Sequence, residues 1–264
     1  MKKLLMLGSS HAACFKGAPL PPQTSLAIAA NLHDNLFSNL LISTEGKISL
    51  TPNPLTPEWD DRIFNFSLAD CSRHLSDYDY LVVNIAWELD LPMLIHGDGQ
   101  SDDVWNRIQY SSDSLIRDIA DSAFLQSKGT TKNAIFIQKL SASGFDPSRV
   151  IALLTPFSSS PAGQEEEANP ISLSNKIEWI LQETISYARD KLKTRIVLPS
   201  KKIMANGLFI QNKYCTPGKN VWRSAMGGSI GPQDRKHKNI NYAEHMIQQI
   251  MASIEMPKAR LTRA

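Results

Sequence analysis

The sequence predicts an α/β fold, with a mostly parallel central sheet covered on both faces by helices. Three observations carry this expectation. Short apolar runs recur, bounded by Gly, Ser or Pro. Longer stretches with apolar residues near a 3.6-residue period lie between them. The two kinds follow one another along the chain, as parallel strands joined by helical crossovers do.

Lys3–Leu7 is short, apolar and closed by Gly8-Ser9-Ser10, which suits a buried strand ending in a tight turn. Ser25–Ala30 is a second short strand. Asn39–Ser43 and Lys47–Thr51 flank Thr44-Glu45-Gly46 and read as a hairpin. Leu68–Leu75 is weakly helical. Tyr78–Ile85 (YDYLVVNI) is rich in aromatic and β-branched residues and reads as a strand. Ser111–Gln126 and Thr130–Ser143 are amphipathic helical stretches, the first placing Leu115, Ile116, Ile119, Ala120 and Phe124 on one side. Arg149–Leu154 (RVIALL) is a buried strand ending at Thr155-Pro156. Ser158–Pro170 is polar, with Pro, Gly and three consecutive glutamates, and reads as a solvated loop. Ile171–Leu192 is a long amphipathic helix, and Arg195–Leu198 a strand stopped by Pro199. Asn239–Ile254 closes the domain as a helix with Tyr242, Met246, Ile247, Ile250 and Ile254 on one stripe. Residues 1–256 therefore form a single domain with a hairpin inserted near 39–51. Residues 257–264 form a basic tail expected to be disordered.

Composition narrows the class. The chain has 264 residues, 42% hydrophobic and 20% charged, which is ordinary for a globular protein and excludes a disordered one. Its net charge of +2 is too small for a general nucleic-acid binder. Three cysteines, Cys14, Cys71 and Cys215, lie far apart with no CxxC or zinc spacing, so free thiols and a reducing compartment are expected. The apolar run after Lys3 is shorter than an export signal needs, and no stretch is as long and apolar as a membrane span. A soluble, cytoplasmic protein with no metal and no cofactor is the expectation.

Open parallel sheets hold their ligands beyond the carboxyl ends of the strands. Two segments should reach that edge. Gly8-Ser9-Ser10-His11 follows the first strand and offers a hydroxyl at a strand-to-helix turn, where backbone N–H groups favour a developing anion. Small polar residues at such a turn also serve as caps. Asp234-Arg235-Lys236-His237 precedes the last helix. A carboxylate three residues before a histidine can accept from Nδ1–H and hold Nε2 toward a nucleophile. A surface turn with a helix-capping histidine uses the same residues.

Taken together the two segments are more specific. Asp234-Arg235-Lys236-His237-Lys238-Asn239-Ile240-Asn241-Tyr242-Ala243 resembles the last block of the SGNH (GDSL-like) hydrolase family, a D-x-x-H followed by Asn, Tyr and an amphipathic helix. Met6-Leu7-Gly8-Ser9-Ser10-His11-Ala12 is similar to that family's first block, with Ser9 in place of the commoner Asp or Asn. The resemblance implies a flavodoxin-like three-layer α/β/α sandwich. It implies Ser10 as nucleophile, His237 as general base and then acid, and Asp234 as the group that orients it. The family's further oxyanion donors would fall at Asn84 and near Asn31. Here Asn84 lacks the Gly two residues before it, and no Gly stands beside Asn31. Trp87, just past the third strand, would stack on a sugar ring or simply pack, and His11 would sit at the pocket mouth.

The implied activity is a serine-dependent ester hydrolase or acyltransferase acting on a small-molecule or carbohydrate ester, such as an O-acetyl sugar. The departures at Asn84 and Asn31 motivate the alternative of a catalytically weak binding or regulatory module recognising a glycan or protein. A nucleotide or flavin binder would use Gly8-Ser9-Ser10 as a phosphate cradle, but the chain lacks both GxGxxG and GxxxxGK[ST] there.

Overall fold

The computed structural model describes residues 1–8, 10–30, 40–50, 74–84, 112, 114–115, 139–153, 157–159, 186, 189–190, 192–205, 209–215 and 238–256. Its centre is a five-stranded, all-parallel sheet. The strands are β1 (Lys2–Gly8), β2 (Thr24–Ala30), β5 (Tyr80–Asn84), β6 (Val150–Leu153) and β8 (Arg195–Val197), in the order β2-β1-β5-β6-β8. Each was expected from the sequence, within two residues at either end.

The reason lies in burial. Along β1 every residue from Leu4 to Leu7 is buried, and the same holds for Leu81–Val83 and Val150–Leu153. Side chains alternate between the faces of a strand. An uninterrupted apolar run is therefore what a sheet covered on both sides demands. On one face Leu4, Met6, Val82, Ile151, Leu153 and Val197 share a core with Met246, Ile247 and Ile250 of the last helix, α1 (Ile240–Glu255). The other face, with Leu5, Leu7, Leu81, Val83, Val150 and Ala152, is also shut off from solvent. The result is a three-layer α/β/α arrangement.

Two small sheets lie beside it. β3 (Leu40–Ile42) and β4 (Ile48–Leu50) form the expected antiparallel hairpin, joined by a turn with Gly46 at φ 75°. β7 (Phe157–Ser159), β10 (Phe209–Ile210) and β9 (Met204–Ala205) form a three-stranded sheet in that order. The sequence reading did not anticipate this sheet, and it assigned Ser158 and Ser159 to a loop. Those two serines belong to β7, which pairs in parallel with β10. The expected helices over 111–126, 130–143 and 171–192 fall largely outside the described residues. Residues 139–142 are helical as expected, and Leu192 already lies past the helix, before Lys193 at φ 56°. The basic tail 257–264 lies outside the described residues too. No described helix is long and apolar enough to cross a membrane.

The two ends of the sheet are built differently. At the amino end of the strands, polar side chains tie elements together. Arg195 is buried, and its guanidinium donates to the carbonyls of Ser148 (3.2 Å) and Ser253. The second bond satisfies a carbonyl in the last turn of α1, where the helix itself supplies no donor. Arg149 donates to the carbonyls of Asp79 (2.7 Å) and Tyr78 and lies over the Phe145 ring. Lys2 pairs with Glu255 at 3.3 Å. This ties the amino end of β1 to the carboxyl end of α1, so α1 runs antiparallel to the strands and starts at their carboxyl edge.

Candidate functional site

Strand order fixes where a site can form. From β1 the chain moves to one side to make β2, then crosses back to the other side to make β5. The switch point lies between β1 and β5, at their carboxyl ends. The residues that meet there are Gly8 and Asn84, opposite each other in the parallel register. Asn84 is 1% exposed.

Gly8 is required by space. A Cβ built on it would stand 2.8 Å from the Asn84 carbonyl oxygen, 2.9 Å from the Ala12 Cβ and 3.1 Å from the Asn84 Cβ. No side chain larger than hydrogen fits while β5 and the next turn pack this closely. Past Gly8 the backbone enters a six-residue 3-10 helix, Ser10–Phe15. The sequence led us to expect an α-helix start here. A short 3-10 helix aligns few peptide dipoles, so the macrodipole expected to favour an anion at Ser10 is correspondingly reduced. His11 lies in the first turn of this helix.

The 3-10 helix is seated by its own apolar residues. Ala12 and Phe15 are buried, and the Phe15 ring meets Tyr242 of α1 edge-on, with centroids 6.3 Å apart at 74°. Cys14 packs against the same core. Burial pushes its thiol up to about 12, against a smaller downward pull from the ammonium of Lys238 and a backbone hydrogen bond. Lys238 is itself 2% exposed.

Lys238 also pairs through its backbone. It forms an isolated antiparallel bridge with Cys215. Asn239 locks that bridge. Its backbone N–H donates to Tyr214 O (2.9 Å), and its side-chain amide donates to the carbonyls of Lys213 (2.8 Å) and Cys215 (2.9 Å). Its side-chain oxygen accepts from the N–H groups of Asn241 (3.1 Å) and Tyr242 (3.2 Å), capping α1. One side chain thus starts the helix and holds the 213–215 segment against it. An Asn directly ahead of an amphipathic run is a recognisable cap signal. Its second task, holding the 213–215 segment, has no signature in local spacing.

Tyr242 carries an anomaly. Its hydroxyl is buried and has no hydrogen-bond partner among the described residues. Burial, followed by the neighbouring Cys14 and Cys215 thiols, raises its pKa well above the ordinary phenol value. An unpaired buried hydroxyl costs free energy that a matching apolar group does not. Tyr242→Phe is therefore expected to leave the unfolding free energy from urea titration unchanged or to raise it by up to about 1 kcal/mol. Tyr242→Ala, which removes the ring that Phe15 meets, should lose about 3–5 kcal/mol.

Of the site residues expected from the sequence, the structure describes the backbone of Ser10 and His11 and the whole of Asn84. Asn31, Trp87, Asp234 and His237 lie outside the described residues. Described neighbours of the two key blocks meet where the Phe15 ring packs on Tyr242. Cys14, four positions after Ser10, feels the charge of Lys238, the residue after His237. Among the described residues, no three His, Cys, Asp or Glu side chains gather into a group that could hold a metal ion.

A second contact at the same edge was not foreseen. His245, in the second turn of α1, lies 2.9 Å through Nε2 from the Ser200 hydroxyl, three residues past β8. Nothing in the sequence pairs positions 45 apart.

No family model matches the chain, and no curated protein matches it. Among solved structures it is similar to the extracellular lipase from Streptomyces rimosus. That likeness has 10% sequence identity and a TM-score of 0.44, over 96% of this chain and 100% of the lipase chain. An overlap at that level does not bear on substrate or mechanism.

Proposed function

We propose that the chain is a serine-dependent ester hydrolase or acyltransferase of the SGNH type, acting on O-acyl or O-acetyl carbohydrate. The observation that supports this reading most is the switch point itself. The turn carrying Ser10 leaves the carboxyl end of β1 directly beside Asn84. The start of α1, a few residues after Asp234 and His237 in the chain, packs on the same 3-10 helix through Phe15 and Tyr242.

In this reading Ser10 Oγ attacks the ester carbonyl carbon while His237 Nε2 takes its proton. Asp234 orients the imidazole and stabilises its charged form. The Asn84 side-chain amide donates to the carbonyl oxygen as it gains negative charge, a contact worth about 10²–10³ in turnover. The alcohol then leaves with the proton from His237, and an acyl-enzyme remains. Water resolves it in a hydrolase; a sugar hydroxyl resolves it in a transferase.

The test compares the native protein with Ser10→Ala, using a fluorophosphonate probe and a short-chain nitrophenyl ester. We expect an adduct on Ser10 and a loss of at least about 10³-fold in turnover for the variant. No adduct on Ser10 and no turnover above the uncatalysed rate in either protein would favour the catalytically weak binding module instead.

A further inference from the structure

The contact between Ser200 and His245 is a nucleophile and a base already within hydrogen-bond distance, at 2.9 Å. Neither belongs to the blocks that carry the proposed SGNH activity. Ser200 stands three residues beyond the carboxyl end of β8, on the edge of the parallel sheet where open α/β folds bind their ligands. His245 rides on α1, whose start is fixed at that same edge by the Asn239 cap.

The surroundings suit an activated hydroxyl. Both side chains are only partly buried, so a reagent can reach them. The Ser200 turn is braced: its carbonyl accepts from Ile203 N–H (3.1 Å), and the Gln211 amide donates to the carbonyls of Lys202 (3.0 Å) and Met204 (3.3 Å). The braced turn fixes the Ser200 backbone opposite α1, and the 2.9 Å contact directs the hydroxyl to the ring. Burial and the neighbouring Lys202 ammonium both lower the pKa of His245. The imidazole is therefore neutral at neutral pH and free to accept a proton. Lys202 is exposed, and its charge also favours a reagent with an anionic or strongly polar group next to the electrophilic atom.

We propose that Ser200, with His245 as its base, is a second nucleophilic hydroxyl at this edge, able to take an acyl or phosphonyl group from an activated ester independently of Ser10. In the step, a bond forms between Ser200 Oγ and the carbonyl carbon or the phosphorus. The hydroxyl proton passes to His245 Nε2. The bond to the leaving group breaks, and the alkoxide, or fluoride in the case of a fluorophosphonate, departs with the electron pair and is protonated as it leaves. His245 then returns its proton to the leaving alcohol or to water.

The experiment is fluorophosphonate labelling of the full chain followed by peptide mapping, on the native protein and on Ser10→Ala, Ser200→Ala and His245→Gln. An adduct on Ser200 is expected in the native protein and equally in Ser10→Ala, and it should disappear in Ser200→Ala. The His245→Gln rate at Ser200 should fall about 10²-fold or more. Absence of an adduct on Ser200 from both the native protein and Ser10→Ala would overturn the proposal, and that result needs no variant of the pair to fold. Labelling of Ser200 at an unchanged rate in a folded His245→Gln protein would overturn it as well. Because the adducts are mapped separately, failure at Ser200 and failure at Ser10 are read independently.

Discussion

Replacing Gly8 with alanine is expected to destabilise the protein by about 2–3 kcal/mol, the upper part of the range for overpacking a closed core. The added methyl would sit 2.8 Å from a backbone oxygen of β5 and 2.9 Å from the Ala12 Cβ. Neither neighbour is the loose end of a long side chain, so relief must come from moving the strand pair or the 3-10 helix. Both carry the candidate site. In the proposed esterase, a shift of about 1 Å at Ser10 is enough to cost about 10²-fold in turnover. Urea unfolding and ester assays on Gly8→Ala check both parts. A contrast with Gly17→Ala is useful, because no heavy atom lies within 4 Å of a Cβ built there. That substitution suffers only from its φ of 81°, and should spare turnover. Equal loss of activity in the two variants would contradict the steric account of Gly8.

The second large effect is alkaline. Cys14 holds its proton up to about 12 in the folded protein, against the ordinary thiol value of 9.0, and Tyr242 is shifted in the same direction. In both cases the folded state keeps a proton that the unfolded chain gives up. The stability that this contributes is complete below pH 9 and is lost as pH rises from there toward 12. Each group contributes a slope of about 1.4 kcal/mol per pH unit once its unfolded form titrates. Urea unfolding followed from about pH 8 to pH 11 should show a fall that is shallower in Cys14→Ala and shallower again when Tyr242→Phe is added. Cys14 is only partly buried, but its raised pKa leaves little thiolate, so native Cys14 should react with iodoacetamide more slowly at about pH 8 than after denaturation.

The central sheet was legible because its strands are closed on both faces. Leu4–Leu7, Leu81–Val83 and Val150–Leu153 are apolar without interruption, and such runs need no knowledge of their partners to be recognised. The sheet of β7, β9 and β10 was not legible. Its strands have two or three residues, too few to display a period, and Met204-Ala205 pairs with Phe209-Ile210 only because the fold brings them together. The turn after β1 was recognisable from Gly8-Ser9-Ser10, yet its continuation as a 3-10 helix was not. Ser10–Phe15 is held by Phe15 against Tyr242, a contact that no local propensity encodes. The Asp234 and His237 spacing could be seen because both lie on one short segment. Ser200 and His245 are joined only through the packing of α1 against the end of β8, and so stayed hidden.

The span from Lys2 to Glu255, 253 positions closed by an ion pair, has a consequence for biosynthesis. The ribosome releases β1 long before α1, yet α1 supplies much of the cover for Leu4 and Met6. All five strands leave the ribosome before that helix, so the nascent sheet can pair its edges while the side that Leu4 and Met6 face still lacks the cover of α1. Closing that side is a non-local step, of the kind that slows folding.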